Sequence, residues 1–404
     1  MAENHCPAIG FFIMKKTPYA PAISHLGLQA FLAGLAAILG LQCRAADPIE
    51  TWTSRTSPTN VNLAAVTFGK DTFVAIGDYY GIALTSPDGV SWTQRSTPIK
   101  NRYFTAAAYG NGQFVAVGDV GKIISSPNGI QWTAQTSGSS ANLASVSFVN
   151  GRFVAVGSSG AVLSSLNGSN WTSHTTGATN QWRGTSFMNG SYVVVGFSSP
   201  LNRAVVATGS DLNQLHPISP GFNQGYFCVA QGAGKYVAGG WGGYTLTSLN
   251  GTSWSNTNRI HFESINDLLF QENIFIAVAS AGKLMTSPTG TNWTLRAKGL
   301  TTKDLNAVAY GKGTFVVVGD TGTILQSGAV GTRENTIVLS QASKNGTLFN
   351  FKFTGTVGAD YQIQGATSWG NWTPLSTIHC TASPMNCSLS GQSLPIRFFR
   401  VIKL

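Results

Sequence analysis

"FVAIGDYYGIALTSPDGVSWTQRS", residues 73–96, is the phrase on which the fold turns. It returns as "FVAVGDVGKIISSPNGIQWTAQTS" at 114–137 and as "FVAVGSSGAVLSSLNGSNWTSHTT" at 153–176. Looser copies of its opening stand at 192 (YVVVG), 236 (YVAGG), 275 (FIAVA) and 315 (FVVVG). The starts are spaced almost evenly, by about 40 residues, and such a period is the mark of an architecture built by stacking like units. Within one period the apolar runs are short and the links are turn chemistry. NLAAVTF and TFVAIG are joined through Gly-Lys-Asp, TFVAIG and GIALTS through Gly-Asp-Tyr-Tyr-Gly, and GIALTS and SWTQRS through Asp-Gly. Asp-Gly and Asn-Gly tolerate the positive φ angles of a tight hairpin. Four antiparallel strands per period, seven times over, predict an all-β, seven-bladed β-propeller.

The stretch IETWTSRTSP at 49–58 then explains itself. It carries the Trp-Thr of a fourth strand with no first three before it, and Trp52 precedes Trp92 by one full period. The seventh copy, LNAVAYGKGTFVVVGDTGTILQS at 305–327, stops without its own fourth strand. The N-terminal segment is therefore expected to supply that strand and close the ring, which removes two exposed sheet edges. Each blade alone leaves both faces uncovered. Stacking buries the FVAVG strand and one Trp per blade, and a Trp of roughly 150–250 Å² contributes a few kcal/mol when buried.

Composition agrees. Gly is 47 of 404 residues, and only 10% are charged. Residues 1–46 differ: Lys15-Lys16 precede the uncharged LGLQAFLAGLAAILGL at 26–41, and Cys43 and Ala45 occupy the −3 and −1 positions of a signal-peptidase site. This segment reads as a secretory signal with Met14 as a second candidate start, and the apolar run is shorter than the ~20 residues a spanning helix needs. No membrane span is expected after cleavage, and the localisation expected is periplasmic, cell-surface or extracellular. The remaining chain has 22 basic against 14 acidic residues, scattered singly, without the basic stripe that a nucleic-acid partner would require. A monomer is expected. Cys380 and Cys387, seven apart, are placed to close a small disulfide loop in an oxidising compartment, and Cys228, in YFCVA, reads as a buried thiol.

The element S-x-[DN]-G-x-x-W occurs at Ser86, Asp88, Gly89 and Trp92, at Ser126, Asn128, Gly129 and Trp132, and at Ser165, Asn167, Gly168 and Trp171. It resembles the Asp box of BNR-repeat propellers, found in sialidases, sortilin-type receptors and photosystem II assembly-factor-like proteins, and the longer phrase is most similar to the last group and its secreted bacterial relatives. The resemblance covers about residues 49–328. No residue stands between the Asp or Asn and the Gly, Asn mostly replaces Asp, and blades four and seven lack the box. The resemblance implies that the box is a structural turn. Residues 334–404, with Tyr361, Gln364, Trp372, Thr373, Arg397, Phe398, Arg400 and Val401, resemble small C-terminal β-sandwich modules of exported bacterial proteins. The domains expected are thus a signal at 1–46, a propeller at 47–333 and a β-sandwich module at 334–404.

Chemistry is expected on the face shared by the loops between strands two and three and the links between blades. Asp78, Asp119, Asp304 and Asp320, with Arg102 and Tyr103, fall on one flank. Trp182, Arg183, Tyr226 and Trp241 fall on the other. Aromatic planes with amides and carboxylates suit a glycan or peptide; the alternative for each Asp is a turn cap, and for Trp182 and Trp241 local packing. Metal-ligating, P-loop and Ser-nucleophile motifs are absent, His174, His216 and His261 are isolated, and no cofactor is expected. The expected function is an exported, non-catalytic binding propeller for a protein or polysaccharide. The alternatives are a carbohydrate-active hydrolase or lyase using face carboxylates such as Asp78 and Asp320, and a protein-complex assembly factor.

Overall fold

The computed structural model describes residues 49–330, apart from 177–178, 200 and 258, and six strands between 338 and 403. The expected ring is present. Blade one is a sheet of Leu63–Gly69, Thr72–Gly77, Ile82–Ser86 and Thr93–Ser96, paired in chain order. Five further blades repeat it. In the seventh, Trp52–Ser54 pairs with Ile324–Ser327, with Trp52 opposite Ser327 and Ser54 opposite Leu325. The bonds from Arg55 N to Ile324 O (2.9 Å) and from Gly328 N to Thr51 O (3.0 Å) extend this pairing at both ends.

The second strand of each blade is buried on both faces, as in Phe73–Gly77 and Phe114–Gly118. Period-two alternation is absent there because each side faces another blade. The core accordingly divides into seven clusters, each drawn from successive blades, one per interface. Across these interfaces aromatics lie over glycines. A Cβ on Gly311 would come within 2.2 Å of the Phe68 ring, and one on Gly69 within 2.0 Å of Tyr109.

The box turns are capped as the sequence implies. Ser86 Oγ accepts from Gly89 N (2.8 Å), and Asp88 Oδ1 accepts from Val90 N and Ser91 N (2.8 and 2.9 Å). Trp92 Nε1 donates to Gly89 O at 3.0 Å, and the other box tryptophans do the same. Trp52 Nε1 donates to Ile49 O (2.9 Å), so the closing strand keeps the turn geometry without the glycine. In blade four, Asp211 caps a short turn through Asn213 N (2.7 Å), and Leu212 and Leu215 are buried beside it.

Residues 48–331 form one compact unit. In the C-terminal unit, Val338–Asn345, Leu348–Thr354 and Met385–Leu389 make one three-stranded sheet, and Thr373–His379, Asp360–Ala366 and Phe398–Lys403 make another. Tyr361 is buried there. The expected signal segment and the Cys380–Cys387 pairing lie outside the described residues, since Cys380 is not among them. Cys228 is buried, as expected.

Candidate functional site

Alternating strand direction divides the loops between two faces. Box turns and the turns between strands one and two share one face; the loops between strands two and three and the links between blades share the other. Of the ten exposed large apolar side chains among the described residues, Val90, Ile130, Leu166 and Leu249 occupy box turns. The other six, Tyr80, Tyr103, Val120, Leu201, Phe262 and Leu300, are on the second face. The densest group joins blades one and two. Tyr79 lies 5.4 Å from Tyr80 and 4.9 Å from Tyr103 between ring centroids, with Tyr80 61% and Tyr103 53% exposed. Arg102 stands next to it, 4.0 Å from Asp119. The sequence points to Tyr103 and Arg102 but not to Tyr79 or Tyr80, because aligning one residue per loop passes over them.

Asp304 and Asp320 serve the fold, whereas Asp119 Oδ1 is buried without a hydrogen-bond partner. Asp304 Oδ1 accepts from Ala281 N of the preceding blade (2.8 Å), where Asn62 and Asn142 accept from Thr321 N and Val120 N (both 2.9 Å). Asp320 Oδ1 accepts from Asn306 (2.9 Å). Burial raises the Asp78 carboxyl above the usual range; a hydrogen bond with Asn62 opposes this and the charge of Asp320 adds to it. Asp78 and Asp320 are therefore brought within electrostatic reach of each other.

On the opposite flank the structure corrects two assignments. Trp182 and Tyr226 are fully buried, because they stand at the position of the innermost strand filled elsewhere by Leu63, Phe104, Leu143, Ile265 and Leu305, all core residues. They offer no surface to a ligand. Neither Trp182 Nε1 nor the Tyr226 hydroxyl has a hydrogen-bond partner. Trp241 instead packs on Phe197 (4.8 Å) and Phe227 (5.2 Å). The residue bonded to Trp241 N across the strand pair is Gly225. A Cβ at Gly225 would fall 2.7 Å from Trp241 and 2.9 Å from Phe197.

One regular feature of the ring leaves no mark in the sequence. In all seven blades the innermost strand skips one residue of its ladder, immediately after the first core position. Such a bulge re-aims its side chain. The skipped residues, Ala64, Thr105, Ala144, Arg183, Phe227, Asn266 and Asn306, all line a central channel of about 380 Å³. Among the described residues, Arg183 and Asp267 are its only charged lining groups. Burial lowers the pKa of Arg183 and pushes the Asp267 carboxyl up to about 6, despite its bonds from Leu268 N and Val308 N.

His174 forms an arrangement that imitates a catalytic triad. Its Nε2 is 2.8 Å from Ser164 Oγ and its Nδ1 is 2.8 Å from Asn213 Oδ1. The repeat shows this to be a structural rung. The same positions pair Arg95 with Thr85, Gln135 with Ser125, Arg296 with Thr286 and Arg55 with Gln326. Among the described residues no group of three or more His, Cys, Asp or Glu is placed to hold a metal, and no helix is long and apolar enough to cross a membrane.

No family model and no curated protein matches this sequence. Solved structures do match. YCF48 bound to a D1 peptide superposes with a TM-score of 0.56 at 16% identity, over 68% of this chain and 94% of that one. YCF48 from Cyanidioschyzon merolae gives 0.54 at 17%, over 69% and 98%. Virginiamycin B lyase from Staphylococcus aureus gives 0.61 at 6%, over 69% and 99%. The fold is a seven-bladed β-propeller. At these identities the likeness extends to the fold alone.

Proposed function

We propose that the protein is an exported, non-catalytic binding propeller that recognises a protein partner through the face bearing Tyr79, Tyr80, Tyr103 and Arg102. The observation that carries this reading is the exposed tyrosine cluster itself. Tyr and Arg dominate the energetics of protein interfaces because they bury large, stiff or planar groups with polar tips. Tyr103 stands where other blades carry Asn62, Asn142, Gly225, Ser264 and Asp304, so the fold does not require an aromatic there. That YCF48, a propeller of similar fold, has been solved with a bound D1 peptide supports the reading. Export rests on the leader-like residues 1–46. An assembly role is one form of this reading, since it needs partner contact and no catalytic group.

The raised Asp78 carboxyl, which feels the charge of Asp320, is the one observation favouring carboxylate chemistry, because a carboxyl lifted by burial can serve as a general acid. Residues 47–404, wild type and Tyr80→Ser/Tyr103→Ser, tested in a quantitative pull-down and on a glycan array, separate the readings. Loss of a stoichiometric protein partner with an unchanged thermal midpoint supports the proposal. Unaltered capture by the double variant, or glycan binding alone, defeats it. Turnover of a captured glycan that vanishes in Asp78→Asn/Asp320→Asn establishes the enzyme instead.

A further inference from the structure

The seven bulge residues are one structural position sampled seven times, and each can be judged against the others. Thr105 Oγ1 donates to Leu143 O (2.7 Å), Asn266 Nδ2 to Leu305 O (2.9 Å) and Asn306 Nδ2 to Leu63 O (3.1 Å), each reaching the following blade. Ala64 and Ala144 keep the channel wide. Arg183 and Phe227 do neither. Among the described residues Arg183 has no hydrogen-bonding or ionic partner; its guanidinium carbon lies 5.4 Å from the centre of the Phe197 ring. The side chain is exposed and lines the channel, so its guanidinium fork is open to an incoming anion. Asp267 does not serve, because both of its oxygens are engaged by backbone amides.

A second polar side chain belongs to the same channel wall. Thr185, two residues further along the strand, lines the channel at 4% exposure, and its Oγ1 has no partner. Buried polar atoms are ordinarily satisfied. Blade four also lacks the box.

We propose that the central channel binds a small carboxylate with an apolar body, its carboxylate on Arg183 and its body over Phe227. The planar guanidinium fork matches a carboxylate through two parallel bonds. A single cation balances a monoanion, whereas a phosphate dianion would keep an unmatched charge inside a channel that also holds Asp267. The volume of about 380 Å³ admits a molecule of this kind. The site is separate from the tyrosine cluster and stands or falls without it.

Phenylacetate is the probe, with phenylacetamide and inorganic phosphate as controls, titrated calorimetrically into residues 47–404. Saturable binding of phenylacetate alone is expected. Arg183→Gln is expected to weaken it roughly ten- to a hundredfold, the scale of a lost charge-assisted bond, with an unchanged thermal midpoint. Ala64→Phe, which adds bulk to the channel wall on another blade, is expected to weaken it as well. Absence of saturable binding at millimolar concentration, equal binding of the amide, or unaltered affinity in Arg183→Gln overturns the proposal. Phosphate binding more tightly than phenylacetate overturns the carboxylate assignment.

Discussion

Asp267 shows what a single side chain contributes to this ring. At its position the other blades carry Ala65, Ala106, Ser145, Gly184, Cys228 and Ala307. Asp267 ties blade six to blade seven through Val308 N at 3.0 Å. With its folded pKa near 6 and an ordinary unfolded value near 4, the native state holds more protons than the unfolded state between these values. Stability from this group is therefore full below about pH 4 and falls as pH rises to about 6, by roughly 1–3 kcal/mol. Asp267→Asn is expected to flatten that slope, as read from denaturant midpoints across the interval. The exposed Asp88 acts in the opposite sense: bonds from Ser91 N and Val90 N lower its pKa, and its contribution disappears on acidification. Asp88 was legible in the sequence because turn chemistry is local. Asp267 was not, because its role depends on a bulge and on an amide of the next blade. The burial of Trp182 is legible from Leu63 and Phe104 in the same register, which place it inside the strand and not in the link before it.

At the scale of a strand, the closure is the element most exposed to loss. Three ladder positions hold Trp52–Ser54 against Ile324–Ser327. Side chains add to them: Arg55 Nε donates to Gln326 Oε1 (2.8 Å), and Gln326 Nε2 donates onward to Asp88 O of blade one (2.8 Å). Trp52 is 7% exposed and packs with Ile49, Ile274 and Phe315 at the interface of blades six and seven. Trp171 is only partly buried and its strand is continuous with its own blade. Trp52→Ala is expected to cost about 3–5 kcal/mol and Trp171→Ala distinctly less. Hydrogen exchange provides the check, since Trp52→Ala should release the amides of 324–327 before those of any other third strand. The strand itself was readable from spacing alone, because a missing fourth strand at one end and a spare one at the other leave a single pairing that covers both edges.

For the molecule as a whole, the ring determines where partners can reach. Repetition made the number of blades and the identity of both faces plain from the sequence. It concealed the channel, since all seven bulges follow unremarkable apolar residues. A chain starting at Pro58 lacks the closing strand and bares the edge of Ile324–Ser327. Such an edge pairs readily with another copy. This truncation is expected to yield larger species than the chain that keeps the strand, measurable by light scattering; an unchanged particle size with a native thermal midpoint would show that closure is dispensable.

The order of synthesis adds a constraint. Trp52 leaves the ribosome before any other strand of the ring, and its partner Ser327 leaves after all of them. The earliest-made strand of the propeller is thus the last to pair, and blades one to six must stack as an open arc while it waits. Pairing so distant in sequence is slow, and an unpaired strand on a nascent chain is a hazard for misassembly. Whatever shields residues 49–55 during that interval governs the yield of closed rings.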